Sequence, residues 1–309
     1  MGARGDRPAA RREACVTAQS IVIRPLVTAD DMHAVEELQR MVWPGDETEV
    51  VPVHMLHAVA HGGGVLLGAF DGDRLIGMVF GFLGTDSQSS DRVAMARLKL
   101  CSHMLGVAPG YRDRSIGYHL KIAQRQAMLQ QGIRLITWTY DPLMSRNAHL
   151  NIRRLGAVCD TYLREVYGEM RDGLNLGLPS DRFQVDWWIT SNRVAARLES
   201  QRAPLDLVHF LEAGAQKLNP AALGPDDLPR PNEHVDRPSG ALALVEIPPD
   251  FPALKARDLE LALAWRQHAR EVFELAFSVG YLVTDFVHLR GERAPRSYYL
   301  LSHGEGTLG

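Results

Sequence analysis

The sequence predicts an α/β fold with a mixed (α+β) sheet and a smaller α/β subdomain at its C-terminal end. Residues Met104–Leu120 combine an apolar run, a short loop and an amphipathic stretch, which indicates a strand, a tight turn and a helix start. The apolar segments VLLGAF and RLIGMVFGFL flank Asp71-Gly72-Asp73, a hairpin signal. Strand and helix patterns alternate along residues 20–190. A chain of 309 residues can bury a large core, and we expect two domains.

The first elements follow from local patterns. Residues 20–27 (SIVIRPLV) alternate apolar and polar side chains, which predicts a strand. Thr28–Asp31 has the composition of a helix N-cap and precedes the amphipathic segment DMHAVEELQRMVW. A second helix is expected over about 52–61, because three glycines follow it at 62–64.

The middle of the chain continues this alternation. After the hairpin, a long strand is expected over Met95–Val107, followed by a helix over Ser115–Gln131 that ends at Gly132. RLITWTY then predicts a buried strand, and Asn147–Leu155 predicts a short helix closed by Gly156. DRFQVDWWI predicts one more strand.

Four segments are expected along the chain. Residues 1–19 are expected to be a disordered tail, 20–190 the main domain, 191–239 a helix and linker, and 240–304 the C-terminal subdomain. Residues 218–239 hold many prolines and acidic residues, which is typical of a linker. The last segment predicts a strand, a helix and two strands, and so few elements must cover their sheet on the first domain or on a partner subunit.

The turn after the strand at Met95–Val107 has the features of an anion site. The first N–H groups of a helix have no intrahelical partner and lie at the positive end of its dipole, so they bind phosphate readily. Arg112 and Arg114 add positive charge, and small residues at Gly110, Ser115 and Gly117 leave the backbone accessible. Neither a P-loop nor a dinucleotide-binding glycine motif is present, which does not support the corresponding nucleotide folds.

This turn resembles the pyrophosphate loop of the GNAT superfamily of acyl-CoA N-acyltransferases. The pattern V-x-P-x-x-[RQ]-x-x-G-x-[GA] maps onto Val107, Pro109, Arg112, Ser115 and Gly117, with Ser115 where glycine is usual. The resemblance covers residues 20–190. Stretches such as SHMLGV, ITWTYDPL and RNAHLNIRRLGAV are similar to a bacterial GNAT subgroup with a C-terminal extension.

The resemblance implies acetyl-CoA, or another short acyl-CoA such as succinyl-CoA, as co-substrate. It places pantetheine beside a splayed central sheet and the diphosphate in the turn. The residues implied in binding acyl-CoA are Leu105, Gly106, Val107, Arg112, Asp113, Arg114, Ser115, Ile116, Gly117, Tyr118 and Asn147. For Asn147, capping of the short helix is an equally good interpretation.

The resemblance also implies roles in acyl transfer to an amine. His103 stands where some members place a histidine as general base, and its ordinary pKa of about 6.5 suits that role; a sheet-face histidine bonded to backbone is the alternative. A backbone N–H near Leu105–Val107 is expected to stabilise the oxyanion. The tyrosine that many members use to protonate the leaving thiolate corresponds to Ile152, so Tyr140 or water must substitute, or the thiolate leaves unassisted.

The acceptor is expected to enter between the first two helices, where Trp43, Asp46 and His54 are the candidate contacts. The acids there suit a small amine or amino acid, although a solvated loop also explains them. His54, His57 and His61 share one helical face, but no carboxylate or cysteine completes a ligand set at an obvious spacing, so no metal is predicted. Substrate contact or plain surface are the other interpretations of these histidines.

Composition limits the remaining function classes. A formal net charge of -3 gives no general attraction to nucleic acid. Three scattered cysteines favour a reducing cytoplasm, and no apolar run is long enough for a membrane span. A homodimer is compatible with the sequence. Two functions are left: an N-acyltransferase, which we favour, and a catalytically silent acyl-CoA-binding sensor or assembly module.

Overall fold

The computed structural model describes residues 21–45, 47–86, 93–168, 176–199, 205–291 and 294–304. The expected tail at 1–19 and the candidate acceptor residue Asp46 lie outside these ranges. None of the described helices combines the length and apolar character that crossing a bilayer requires.

The first half of the chain has the predicted order of elements. In sequence these are β1 (Val22–Pro25), α1 (Ala29–Val42), α2 (Val53–His61), β2 (Val65–Asp71), β3 (Arg74–Thr85), β4 (Leu98–Val107), α3 (Ile116–Gln130), β5 (Leu135–Tyr140), α4 (Ser145–Ala148), β6 (Val158–Leu163) and β7 (Arg182–Trp188). A 3₁₀ turn over Ala94–Arg97 takes the place of the first residues predicted for β4. α4 runs on into π-helical turns over His149–Arg154. The predicted α/β class with a mixed sheet is confirmed.

The second half adds helices and further strands. They are α5 (Asn192–Glu199), α6 (Leu207–Glu212), β8 (Gln216–Lys217), β9 (Ala222–Leu223), β10 (Pro229–Arg230), β11 (Leu242–Ile247), α7 (Phe251–Arg257), α8 (Leu259–Ser278), β12 (Leu282–Leu289) and β13 (Arg296–Ser302). The predicted strand, helix and two strands correspond to β11, α8, β12 and β13. The sequence interpretation missed α7, which Asp250 caps by accepting the Ala253 N–H at 3.0 Å.

The two halves share one sheet. Its eleven described strands run in the order β1-β2-β3-β4-β5-β7-β6-β12-β13-β11-β8. The junction is the antiparallel pair β6–β12, where Cys159 lies opposite Val283. A single hydrophobic cluster extends from Val65 in β2 to Leu301 in β13. The C-terminal elements therefore bury their apolar faces against the first half, as their small number requires.

Residues 218–239, expected to be a linker, are packed against the rest of the chain. Leu218, Ala221 and Leu228 are each at most 8% exposed. The Asn219 side chain accepts the Glu246 N–H at 2.8 Å and donates to the Glu246 carbonyl at 3.0 Å. Prolines and acids gave this segment a linker-like composition, but three of its apolar side chains pack into the core, while Leu223 is exposed.

The sheet opens between β4 and β5. These parallel strands pair only at Leu100–Ile136 and Cys101–Thr137, and they diverge beyond Ser102. On the other side of β4 the ladder to β3 is continuous apart from one bulge, so the divergence is confined to one gap in the sheet. This splay was implied by the GNAT resemblance, and it positions the candidate site.

Candidate functional site

A cavity of about 630 Å³ occupies the splay between β4 and β5. Its wall is formed by side chains from both halves of the chain: Gln39, Trp43, Glu49, Val50, Ser102, His103, Met104, Leu105, Lys121, Trp138, Thr139, Tyr140, Asp141, Met144, Asn147, Leu150, Asn151, Tyr167, Arg182, Phe251, Pro252 and Lys255. A cleft of this size, mostly apolar with a few converging polar groups, is typical of a small-molecule site. α7, which sequence analysis missed, contributes Phe251, Pro252 and Lys255.

The predicted anion turn lies beside this cavity. β4 ends at Val107, a 3₁₀ turn covers Pro109–Tyr111, and α3 begins at Ile116. Two cavity residues approach the first turn of α3, since Leu105 and Leu150 lie 3.6 and 3.9 Å from the place of a Cβ on Gly117. At Gly110 a Cβ would meet nothing within 4 Å. The backbone of the turn is therefore accessible to a bulky anion.

Ser115, where the GNAT pattern has glycine, adopts a left-handed backbone conformation with φ of 59°. Asp113 does so as well, with φ of 66°. A residue with a Cβ is strained in this region by roughly 1–2 kcal/mol, whereas glycine is not. The usual glycine is thus explained by backbone geometry.

The Ser115 geometry gives a stability prediction. Ser115→Gly and Ser115→Ala both remove the hydroxyl, but only alanine keeps a Cβ at positive φ. We expect the glycine variant to have a free energy of unfolding about 1 kcal/mol higher than that of the alanine variant, measured by urea denaturation. Equal stability of the two variants would show that the left-handed conformation is not populated.

Side chains around the turn add positive charge. Arg112 and Arg114 are exposed, and Arg114 lies 5.1 Å from the centroid of the Tyr111 ring. Arg154, which sequence analysis did not single out, donates to Ser115 Oγ at 3.1 Å and stacks at 4.0 Å on Tyr118. Asp113 forms an ion pair with Arg146 at 2.8 Å. Three arginines around accessible backbone amides fit a diphosphate.

His103 lies on β4 at the wall of the cavity. Its ring is 6.0 Å from Phe80 and 6.1 Å from Phe82, centroid to centroid. Solvent reaches the ring within the cleft, while desolvation by the surrounding atoms lowers its pKa from 6.5. Within the described chain the ring makes no hydrogen bond, so the backbone-bonded alternative is not observed. The imidazole is neutral at neutral pH and able to accept a proton.

The structure does not support Tyr140 as a proton donor. Its side chain is buried, and its hydroxyl lies 3.1 Å from that of Tyr299, which in turn donates to the Pro142 carbonyl at 2.8 Å. Tyr140 therefore donates its only hydroxyl proton to the Tyr299 oxygen. Desolvation raises the pKa of Tyr140 well above 10.0. Ile152 is fully buried in the core.

The remaining predicted contacts divide into two groups. Trp43 and Asn147 line the cavity, and a Cβ on Gly106 would come within 2.9 Å of Trp43, so glycine permits this contact. Asn147 is the third residue of α4 and does not cap it, because the N-cap is Met144. His54 is exposed on α2 and outside the cavity wall. No cluster of three metal-ligating side chains occurs in the described ranges.

Lys121 is a buried residue of the cavity wall that sequence analysis overlooked. It belongs to α3 and is 2% exposed. The polar and apolar pattern of the helix sequence predicts a solvent-exposed side chain at this position. Its Nζ donates to Gln124 Oε1 at 2.7 Å and to Ser102 Oγ at 3.1 Å. The burial of this lysine becomes evident only from the strands that pack around it.

Neither a protein-family model nor a curated protein sequence matches the chain. Among solved structures, it is similar to Arabidopsis thaliana NAA60 in complex with acetyl-CoA, at 19% identity and a TM-score of 0.44 over 55% of this chain and 99% of that one. The ribosomal-protein-S18-alanine N-acetyltransferase from Escherichia coli aligns at 13% identity and a TM-score of 0.40, over 55% and 94%.

Salmonella typhimurium yncA with its cofactor acetyl-CoA aligns at 12% identity and a TM-score of 0.42, over 61% of this chain and 99% of that one. The order of elements from β1 to β7, with β4 and β5 diverging beside the turn that leads into α3, is the order that the GNAT resemblance implies.

Proposed function

We propose that this protein is an N-acyltransferase that moves an acetyl or other short acyl group, such as succinyl, from acyl-CoA to the amine of a small molecule or amino acid. The observation that carries the proposal is the junction of the anion turn with the cavity in the β4–β5 splay. A diphosphate in the turn would leave the attached chain beside Leu105 and Leu150, facing the cavity. His103 and Trp43 line the same space.

In this proposal the acyl-CoA and the amine are held together and the amine attacks directly. His103 accepts a proton from the incoming amine, because its lowered pKa keeps the imidazole neutral. A backbone N–H of β4 near Leu105 stabilises the charge on the carbonyl oxygen, as the edge of β4 facing the splay is unpaired beyond Cys101. Trp43 and the α1–α2 connection bound the acceptor side.

We also propose a cellular compartment for this protein, on the basis of its cysteines. Of the cysteines, Cys101 and Cys159 are free in the structure. Together with the scattered spacing of all three, this supports a reducing environment such as the cytoplasm.

Titration calorimetry with acetyl-CoA and succinyl-CoA tests the donor half. We expect saturable binding, and we expect Arg112→Glu with Arg114→Glu to weaken it by at least about tenfold, because each charged hydrogen bond is worth about 1.5–3 kcal/mol. Arg134→Glu with Arg237→Glu is the matched control, since both arginines are exposed and outside the cavity wall. Binding heat that is absent, or equal in both double variants, would contradict the proposal.

A silent acyl-CoA-binding module is the second candidate. The core position of Ile152 and the engaged hydroxyl of Tyr140 favour it, since neither can protonate a leaving thiolate. Release of free thiol from acetyl-CoA across a panel of amines and amino acids separates the two functions. Turnover with any acceptor supports the enzyme, whereas tight acyl-CoA binding without thiol release supports the module.

A further inference from the structure

Lys121 places a buried amine at the wall of the cavity. Its Nζ is bounded by three groups: Gln124 Oε1 at 2.7 Å, Ser102 Oγ at 3.1 Å and the Trp138 ring, whose centroid is 3.7 Å away. An ammonium group has three N–H donors. An amide oxygen, a hydroxyl and an indole face together accommodate them, so the contacts suit the charged form.

No carboxylate pairs with this amine among the described residues. The titratable groups that line the same cavity are Glu49, His103, Tyr140, Asp141, Tyr167, Arg182 and Lys255. Asp141 is bound to Arg266 by two hydrogen bonds, one of 2.8 Å. The elements packed on Lys121 present Ser102, Trp138 and Trp187, which carry no charge. Desolvation therefore lowers the pKa of Lys121 well below 10.5.

A buried amine without a carboxylate partner favours its neutral form. An anion that forms beside the amine during function shifts this balance toward the ammonium form. In the reaction proposed above, negative charge develops on the sulfur of CoA as the thioester breaks, within the cavity that Lys121 lines. Neither Tyr140 nor Ile152 can donate a proton to that sulfur.

We propose that Lys121 is the catalytic acid that delivers a proton to the departing sulfur of CoA. This inference rests on the proposed acyltransferase function and deepens it. The bond from the acyl carbon to nitrogen forms and the bond from that carbon to sulfur breaks. His103 takes one proton from the amine, Lys121 gives one to the sulfur, and water in the cleft returns a proton from His103 to Lys121.

The burial of Lys121 brings its acidity closer to that of the thiol, so that the two groups compete for one proton. An ordinary lysine, with a pKa of about 10.4, is a weaker acid than a thiol, with a pKa of about 8.5. An ordinary lysine would therefore leave much of the sulfur as thiolate. Removing water from around the ammonium strengthens it as an acid and so reduces its disadvantage relative to the thiol.

The thiol of bound CoA reports on Lys121 without any knowledge of the acceptor. Titration of thiolate absorbance in the enzyme–CoA complex gives the pKa of that thiol. A cation beside the sulfur lowers this pKa, so we expect it to be lower in the wild type than in Lys121→Met by about one unit or more, a tenfold change in thiolate. Lys217→Met is the matched control, because Lys217 also faces a ring, Tyr298, at 5.7 Å but is outside the cavity wall.

A second measurement uses the unmodified protein. The chain contains only four lysines, so selectively labelled lysine gives a simple NMR spectrum. We expect CoA to raise the pKa of Lys121, whereas desulfo-CoA, which lacks the sulfur, leaves it nearly unchanged. An unchanged Lys121 with CoA, or equal thiol pKa values in the wild type and Lys121→Met, overturns the inference. Failure of desulfo-CoA and CoA to bind at all overturns the proposed function instead.

Discussion

Replacing Asp141 by asparagine is expected to lower the free energy of unfolding by about 3–5 kcal/mol. Asp141 follows β5 at the cavity wall, and its carboxylate receives two hydrogen bonds from Arg266 of α8, one of 2.8 Å. The Arg266 side chain is 2% exposed, so removing the carboxylate leaves a buried charge without its partner. Urea denaturation followed by circular dichroism measures the loss.

Two further variants make this prediction specific. Arg40→Ala breaks the exposed pair of Arg40 with Glu47, and we expect a change of at most about 1 kcal/mol. Asp141→Leu combined with Arg266→Met removes both charges and should recover much of the stability lost in Asp141→Asn. A loss in Asp141→Asn no larger than that in Arg40→Ala would show that Asp141 does not hold the two halves of the chain together.

Substituting His103 by alanine is expected to reduce kcat by about 10²–10⁴-fold with any acceptor that turns over, because the amine then loses its base. The affinity for acyl-CoA should change little. Steady-state kinetics and calorimetry measure these two quantities separately. His33→Ala is the control, since His33 lies on the exposed face of α1, 3.9 Å from Glu36 and away from the cavity.

The pH dependence gives an independent test of His103. Its pKa is lowered from 6.5, so the basic form is present at neutral pH and is lost as the pH falls through that lowered value. We expect kcat/KM of the wild type to decline on the acidic side of pH 6.5, and His103→Ala to lack this decline. A profile with the same acidic limb in both proteins would assign the limb to another group.

The turn between β4 and α3 was predictable because its signal is local. A strand end, a proline, two arginines and small residues within 107–117 together specify a turn that enters a helix. His103 was implied by the GNAT resemblance, in which some members place a histidine at this position before the turn. The left-handed conformation of Ser115 gives a backbone reason for a glycine at this place in the pattern.

The parts that sequence analysis missed depend on distant contacts. Lys121 occupies a polar position of an amphipathic helix, and only the packing of β4, β5 and β7 around it shows that it is buried. Tyr140 seemed available because its partner, Tyr299, is 159 positions away in the chain. The pairing of β6 with β12 is likewise set by tertiary register, which no local pattern encodes.

The joining of both halves into one sheet has a consequence for solubility at high concentration. An exposed edge strand can pair with a strand of another molecule, which allows protein molecules to polymerise. The outer borders of the eleven-stranded sheet are β1, with four residues ending at Pro25, and β8, with two residues. Proline cannot donate a hydrogen bond, and two residues offer little template. β12, paired with β6 at Cys159, thus keeps β6 from being an outer edge of the sheet that is open to strand addition.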